Sequence, residues 1–263
     1  MKDRVASLQR NPCVEPTREP GAGRVLLALF LFGLSFGYIE ATVVIYLRAL
    51  YGPLHERFYP GRGPTELFPL VRLDQLRDAG PAPVRWLAAE LAREAATLLL
   101  VAAAALAAAG NFRQWFAAFL VAFGFWDLFY YVFLKVLLDW PESLLTWDLL
   151  FLLPVPWAGP VLAPGLVALS MIGAGTVLVH REHGGRPVCL RWPHWASLVA
   201  ASGILVLTFC GDYRNLLAGG EPKPFNWPLF CLGEALGLLG FLHALMQGSR
   251  SRSIPTPDPV GGR

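Results

Sequence analysis

Three polar residues recur at every fourth position of an apolar stretch and are the strongest candidates for chemistry. The stretch is FWDLFYYVFLKVLLDW, residues 125–140, in which Asp127, Tyr131 and Lys135 fall on one helix face. An Asp or Lys at the centre of a bilayer costs about 2.5–3.5 kcal/mol, and such residues mark functional sites by default. We therefore expect a functional role for Asp127, whose short side chain cannot reach the membrane surface.

Glu40 is a second candidate. It shares a helix face with Gly33, Gly37 and Ala41, and small residues four apart indicate close contact between two helices. We therefore expect Glu40 to point into a helical bundle rather than toward lipid. A pairing of Glu40 with Arg93 would instead make it a contact that holds two helices together, and both interpretations stay open.

A third group lies in RWLAAELAREAATLLL, residues 85–100. Glu90, Arg93 and Glu94 fall on one helix face because they follow the i, i+3, i+4 rule. Two interpretations stay open for these residues. They form part of a site, or they have a structural role in which Arg93 is only the counter-ion of the two glutamates.

These residue types suit a membrane-embedded enzyme or binding protein. Carboxylates in a low-dielectric pocket hold protons more tightly than in water, so they can act as general acids or bases. We assign catalytic proton transfer to Asp127, Glu94 and Glu40. The residues expected to hold an anionic headgroup or orient a ligand are Arg93, Tyr130, Tyr131, Lys135 and Glu90. Lys135 has an alternative role, in which it only extends to the membrane surface.

The composition indicates a membrane protein. The chain has 263 residues, of which 55% are hydrophobic and only 16% charged, whereas a soluble domain has about 25% charged residues. The net charge of +3 is small and the Arg residues are scattered, so we expect no nucleic-acid partner. Four Cys without a CxxC or Cys/His cluster predict no metal site. Nucleotide, protease and hydrolase motifs are absent, and no cofactor is indicated.

Apolar windows of about 20 residues predict an all-α, polytopic membrane bundle with six transmembrane helices. A single transmembrane domain is expected over 25–247, with an amphipathic segment at its outer surface over 51–84. Disordered cytoplasmic tails are predicted at 1–24 and 248–263. The predicted spans are 25–47, 85–109, 115–138, 158–180, 194–211 and 228–247.

Basic residues predict the orientation of these spans. Twelve of the 22 Arg and Lys residues fall on the side of the two termini and eight on the other, which favours cytoplasmic termini in the plasma (inner) membrane. Cys210 and Cys231 would then lie at the outer ends of two spans. Both a disulfide and free buried thiols stay open for this pair.

Residues 144–165, LLTWDLLFLLPVPWAGPVLAPG, do not fit one regular helix. We expect residues 144–153 to form a short re-entrant or interfacial helix, since ten residues cannot cross a bilayer. A second interpretation lets 144–165 cross twice, but the resulting seven spans leave more basic residues outside than inside. The regular helix is excluded by Pro154, Pro156, Pro160 and Pro164.

Polar residues of at least four elements at one depth predict a polar cavity that opens to the outer face, with Asp127 at its floor. The favoured function is an enzyme or binding protein for a lipid-like molecule that enters from the bilayer. One alternative is a small-solute or proton-coupled transporter, although no internal repeat is visible. Another is a structural or assembly subunit, whose charges should be buried in pairs. Membrane lipids are the expected partners, and the oligomeric state is not indicated.

Overall fold

The computed structural model describes residues 21–63 and 66–250. It is 73% helical, which confirms the prediction of an all-α helical bundle. The elements in chain order are α1 (Ala22–Phe58), α2 (Leu73–Asp78), α3 (Pro81–Ala107), α4 (Phe112–Leu138), β1 (Trp147–Phe151), β2 (Trp157–Pro160), α5 (Leu162–His183), α6 (Trp192–Cys210), α7 (Tyr213–Leu217) and α8 (Trp227–Arg250). Of the two predicted tails, residues 1–20 and 251–263 lie outside the described residues.

Five helical segments are long and apolar enough to cross a membrane: α1, α4, α5, α6 with α7, and α8. They correspond to five of the six predicted spans. The sixth, α3, is 27 residues long, but every stretch of 18 residues within it contains Glu90, Arg93 and Glu94. The charged residues singled out in the sequence therefore set α3 apart from the other long helices.

Helix α1 continues well past the predicted end at residue 47, to Phe58. At 1.5 Å per residue its 37 residues extend about 55 Å, more than the roughly 30 Å hydrocarbon core of a bilayer. The predicted span ends at residue 47 because charged residues begin there, whereas the helix itself continues, so the span covers only part of α1.

The bundle is built around α4, which packs against α1, α5 and α3. The contact with α1 depends on two glycines. A Cβ atom on Gly33 would lie 2.5 Å from Cβ of Phe125, and one on Gly37 would lie 2.8 Å from the backbone nitrogen of Tyr130. Ala41 on the same face is fully buried. The predicted close contact along this face of α1 is therefore confirmed.

Apolar side chains fill the end of the bundle that contains the start of α1, the end of α3, the start of α4 and the end of α5. We call this the apolar end. Its fully buried residues include Val101, Ala105, Ala117, Ala118, Val121 and Ala122. Glu40 of α1 and the charged residues of α3 lie toward the opposite end.

Residues 147–160 form a β-hairpin rather than a helix. Strands β1 and β2 pair antiparallel, with Asp148 opposite Gly159 and Leu149 opposite Ala158. The predicted short helix near 144–153 is therefore wrong, and so is the second crossing, because these strands are too short to span a bilayer. Pro154 lies between the strands, where it interrupts no ladder hydrogen bond.

The open question about the cysteines is also answered. Cys210 is half-buried, Cys231 is exposed, and both are free thiols. The third described cysteine, Cys189, is an exposed free thiol in the connection between α5 and α6.

Candidate functional site

Arg93 on α3 is held by glutamates of two helices. Its Nε donates hydrogen bonds to both carboxylate oxygens of Glu90, at 3.1 and 2.9 Å, and its Nη1 forms an ion pair with Glu40 on α1. Both carboxylates are about nine-tenths buried. The predicted pairing of Glu40 with Arg93 is therefore confirmed. A guanidinium bound by two carboxylates has few donors left for an anionic ligand.

Glu94 lies one residue further along α3 and has a different partner. Both of its carboxylate oxygens accept the backbone N–H of Leu152, at 3.1 and 2.8 Å. Leu152 directly follows β1, so the buried Glu94 fastens the hairpin to α3. Arg93 is thus the hydrogen-bonded counter-ion of Glu90 but not of Glu94.

Tyr131 and Asp148 join α4 to the hairpin. The Tyr131 hydroxyl donates a hydrogen bond of 2.9 Å to Oδ2 of Asp148, whose Oδ1 accepts the backbone N–H of Leu149 at 2.9 Å. Burial raises the pKa of the Asp148 carboxyl to about 6, although the two hydrogen bonds and the positive charge of Arg48 oppose the rise.

Asp127 and Tyr130 differ from these residues in having unused polar groups. Neither side chain forms a hydrogen bond or an ion pair with any residue that the structure describes, and both are half-buried near the middle of α4. Tyr130 lies within electrostatic range of Glu40, Arg93 and Asp127, and Asp127 lies within range of Asp148. A free carboxylate acceptor and a free hydroxyl donor therefore lie near each other, beside side chains that are hydrogen-bonded or ion-paired.

Two members of this network are not among the site residues expected from the sequence. Arg48 follows the predicted end of the first span, yet it is half-buried, with its guanidinium 5.3 Å from the ring centre of Trp140 and near Asp148. Asp148 lies in the stretch that was expected to form a short helix. For Arg48 the available signal was its position eight residues after Glu40, on the same helix face.

Lys135 lies apart from these residues. Its amino group forms a 2.7 Å ion pair with Asp139 and donates hydrogen bonds to the backbone carbonyls of Asp139 and Pro141, at 3.3 and 3.2 Å. Half of the side chain is exposed at the end of α4. The alternative role, in which Lys135 extends to the membrane surface and satisfies the helix end, fits this position.

Two cavities lie at the apolar end rather than at this network. One, of about 300 Å³, is lined by Arg24, Gln114, His183 and the residues between α3 and α4, and the other, of about 540 Å³, lies along the end of α5. The outward-opening cavity at Asp127 stays a prediction. Within residues 21–63 and 66–250, no three His, Cys, Asp or Glu side chains are grouped so as to hold a metal ion.

The candidate site is thus a buried group from α1, α3, α4 and the hairpin, which we call the polar cluster. It contains five carboxyl groups and two guanidinium groups. Three of its side chains, those of Arg48, Asp127 and Tyr130, form no hydrogen bond or ion pair with the described residues. Its members are Glu40, Arg48, Glu90, Arg93, Glu94, Asp127, Tyr130, Tyr131 and Asp148. No protein-family model, curated protein or solved structure matches the chain.

Proposed function

We propose that this chain is a multi-pass membrane protein that binds a lipid-like molecule at the polar cluster, with Asp127 as the group that exchanges a proton with it. The observation that carries the proposal is the free pair, Asp127 and Tyr130, beside hydrogen-bonded and ion-paired side chains. Five helical segments with the length and composition of membrane spans support the same conclusion.

The free pair favours a binding or catalytic site over the two alternatives. In a structural subunit the charges would only bind helices together, so a carboxylate at mid-helix should have a partner, as Glu40 does in Arg93. A transporter needs polar groups along a path through the bundle. The apolar end is instead filled by buried residues such as Val101, Ala105 and Val121.

The partners of the polar cluster narrow the ligand chemistry. Arg93 is engaged by Glu40 and Glu90, and Lys135 is engaged at the end of α4. These two cations therefore no longer support an anionic headgroup. Arg48 forms no hydrogen bond with the described residues, but its guanidinium lies over the Trp140 ring and its charge is opposed by the nearby Asp148. The remaining free groups are an acceptor on Asp127 and a donor on Tyr130, and a hydroxyl is the group that both donates and accepts. A lipid-like molecule with a neutral, hydroxyl-bearing headgroup fits best.

A simple hydrogen-bonding arrangement follows from these two groups. The Asp127 carboxylate accepts a hydrogen bond from the ligand hydroxyl, as a general base does with the proton that it shares. The Tyr130 hydroxyl donates a hydrogen bond to the same ligand oxygen. Arg93, Glu94 and Tyr131 keep their partners throughout, so their role is to position the helices around the ligand.

We further propose that both termini lie on the cytoplasmic side of the plasma membrane, as the distribution of Arg and Lys favours. In sealed cells, the native Cys189 should then resist an impermeant maleimide added outside. A cysteine at the exposed Glu142, between α4 and the hairpin, should react in a variant that lacks the four native cysteines. The reverse pattern would contradict this orientation.

The proposed function is tested by mass spectrometry of small molecules that co-purify with gently extracted protein. We expect the wild type to retain a defined hydroxyl-bearing, lipid-like molecule, and Asp127→Asn to lose it. Asp139→Asn is the matched control, because it makes the same chemical change at an exposed residue directly after the end of α4. Only bulk lipid in all three samples, or an equal loss in both variants, would contradict the proposal.

A further inference from the structure

A cavity of about 540 Å³ lies at the apolar end of the bundle, whereas the polar cluster lies toward the opposite end. It is formed by the last two turns of α5 and the start of the connection to α6. Its lining residues are Thr176, Val177, His180, Arg181, Gly184 and Arg186. None of these is acidic, so the cavity presents only positive and neutral groups to whatever enters it.

The guanidinium groups of the two arginines in this cavity have no ion-pair partner among the described residues. Neither Arg181 nor Arg186 forms a side-chain hydrogen bond or ion pair with the residues described between 21 and 250, and Arg186 is exposed. The neighbouring Arg113 on α4 is different, since its guanidinium forms a 3.2 Å ion pair with Glu182 on α5. The acidic residue closest in sequence to Arg181 is therefore already neutralised by another cation.

The cavity is also amphipathic along the axis of α5. Arg181 and Arg186 border the side nearest the end of the helix, whereas Thr176 and Val177 lie one to two turns earlier. The side chain of Val177 is 36% exposed, and α5 is one of the helices apolar enough to cross a membrane. A charged site thus continues directly into an apolar surface that would face acyl chains.

We propose that this cavity binds an anionic phospholipid, with the phosphate between Arg181 and Arg186 and an acyl chain along Val177. Guanidinium groups match phosphate oxygens with paired hydrogen bonds, and basic pockets at the ends of membrane helices bind anionic headgroups. The carbonyl end of the α5 dipole repels a phosphate, so the two arginines must supply the attraction. His180 uses Nδ1 on the carbonyl of Thr176, at 3.0 Å, which leaves Nε2 for the cavity.

The test is lipid titration of the full-length protein in a neutral detergent, with the thermal unfolding midpoint as the readout. We expect phosphatidylglycerol to raise the midpoint at lower concentration than phosphatidylcholine. In the double variant Arg181→Gln/Arg186→Gln the apparent affinity for phosphatidylglycerol should fall by about 30-fold, since two surface arginines are removed. Arg85→Gln, the matched control, removes an exposed arginine, unpaired among the described residues, at the start of α3, at the other end of the bundle, and should keep the wild-type affinity.

Three results would overturn the proposal: equal midpoint shifts from both lipids, an unchanged affinity in the double variant, or an equal loss in Arg85→Gln. Inorganic phosphate provides a further arm. If it shifts the midpoint as strongly as phosphatidylglycerol, the site binds free phosphate and the lipid assignment is wrong. Should the double variant fail to fold, Arg186→Gln alone, at an exposed position outside the helices, should still weaken phosphatidylglycerol binding by several-fold.

Discussion

Intramembrane polar groups find their partners differently in two regions of the molecule. One region consists of α1, α3 and α4, and the other of α5, α6 and α8. Between α5, α6 and α8, hydroxyl groups satisfy nearby acceptors: Ser197 donates to the carbonyl of Leu236 at 3.1 Å, and Ser170 donates to Glu234 at 2.8 Å. The α1–α3–α4 region instead contains ion pairs, and the side chains of Arg48, Asp127 and Tyr130 in it form no hydrogen bond or ion pair with the described residues.

This difference indicates which part of the molecule does more than hold helices together. Hydroxyl contacts between α6 and α8 are sufficient to join two helices that also pack through small residues such as Gly233 and Gly240. The α1–α4 contact has its own glycines and needs no charges for packing. Burying the charged groups beside this contact costs free energy, and helix packing does not require them. This is expected for a functional site.

The largest expected effect is the loss of the ion pairs of Arg93. In Arg93→Met the nearly buried carboxylates of Glu40 and Glu90 lose their shared cation, and breaking such a buried pair costs about 3–5 kcal/mol. The free energy of unfolding in mixed micelles measures this loss. Arg85→Met is the matched control on the same helix, because Arg85 is exposed and should change stability by less than about 0.5 kcal/mol. Equal effects of the two substitutions would mean that the ion pairs do not stabilise α3.

The second effect compares the two helix contacts directly. A Cβ atom in Gly33→Ala would lie 2.5 Å from Cβ of Phe125 and 2.9 Å from the backbone nitrogen of Trp126, so α1 and α4 must separate. We expect a loss of about 1–3 kcal/mol. Gly237→Ala on α8 is the control, since its Cβ would meet Ala201 at an ordinary 3.4 Å. If both variants unfold at the same denaturant concentration, the α1–α4 contact is not the tighter one.

The sequence predicted the helical class and most helix positions because long apolar runs and small-residue spacing are local patterns. It also predicted the pairing of Glu40 with Arg93, since both residues were expected at one depth in the bundle. The hairpin was not predictable in the same way. An apolar run such as WDLLF is compatible with a strand or a helix, and only its pairing with WAGP decides between them.

Several site residues have their hydrogen-bond partners in or next to the hairpin, which was not predicted from the sequence. Glu94 binds the backbone of Leu152, 58 residues away, and Tyr131 binds Asp148 on β1. These contacts exist only because the hairpin folds back on α3 and α4. The helical spacing of α3 suggested Arg93, the nearest cation, as the counter-ion of Glu94. Helical spacing identifies neighbours within one helix, but it does not identify contacts with distant segments of the chain.

The third effect is a pH dependence centred on the hairpin. Because burial raises the pKa of Asp148 to about 6, the folded protein binds a proton between pH 6 and 4 that the unfolded chain does not. Stability from this group should therefore increase as the pH falls from 7 to 5. Asp148→Asn should lack that increment, which a comparison of thermal midpoints at pH 7 and pH 5 would show. Tyr131→Phe keeps the carboxyl and should retain a pH-dependent gain. A gain of equal size in wild type and Asp148→Asn would assign it to another group.

The smallest expected effect concerns Asp127, and it separates the two kinds of charge in the polar cluster. Asp127 has no hydrogen bond or ion pair with the described residues, so Asp127→Asn removes an uncompensated charge and breaks no contact. We expect the free energy of unfolding to stay within about 1 kcal/mol of the wild type or to rise slightly. The same micelle unfolding measurement used for Arg93→Met provides the comparison. A loss as large as that of Arg93→Met would mean that Asp127 holds the bundle together, and the basis for a site at α4 would disappear. A variant that no longer retains a ligand but has an unchanged free energy of unfolding would instead show that this carboxylate serves binding and not the stability of the fold.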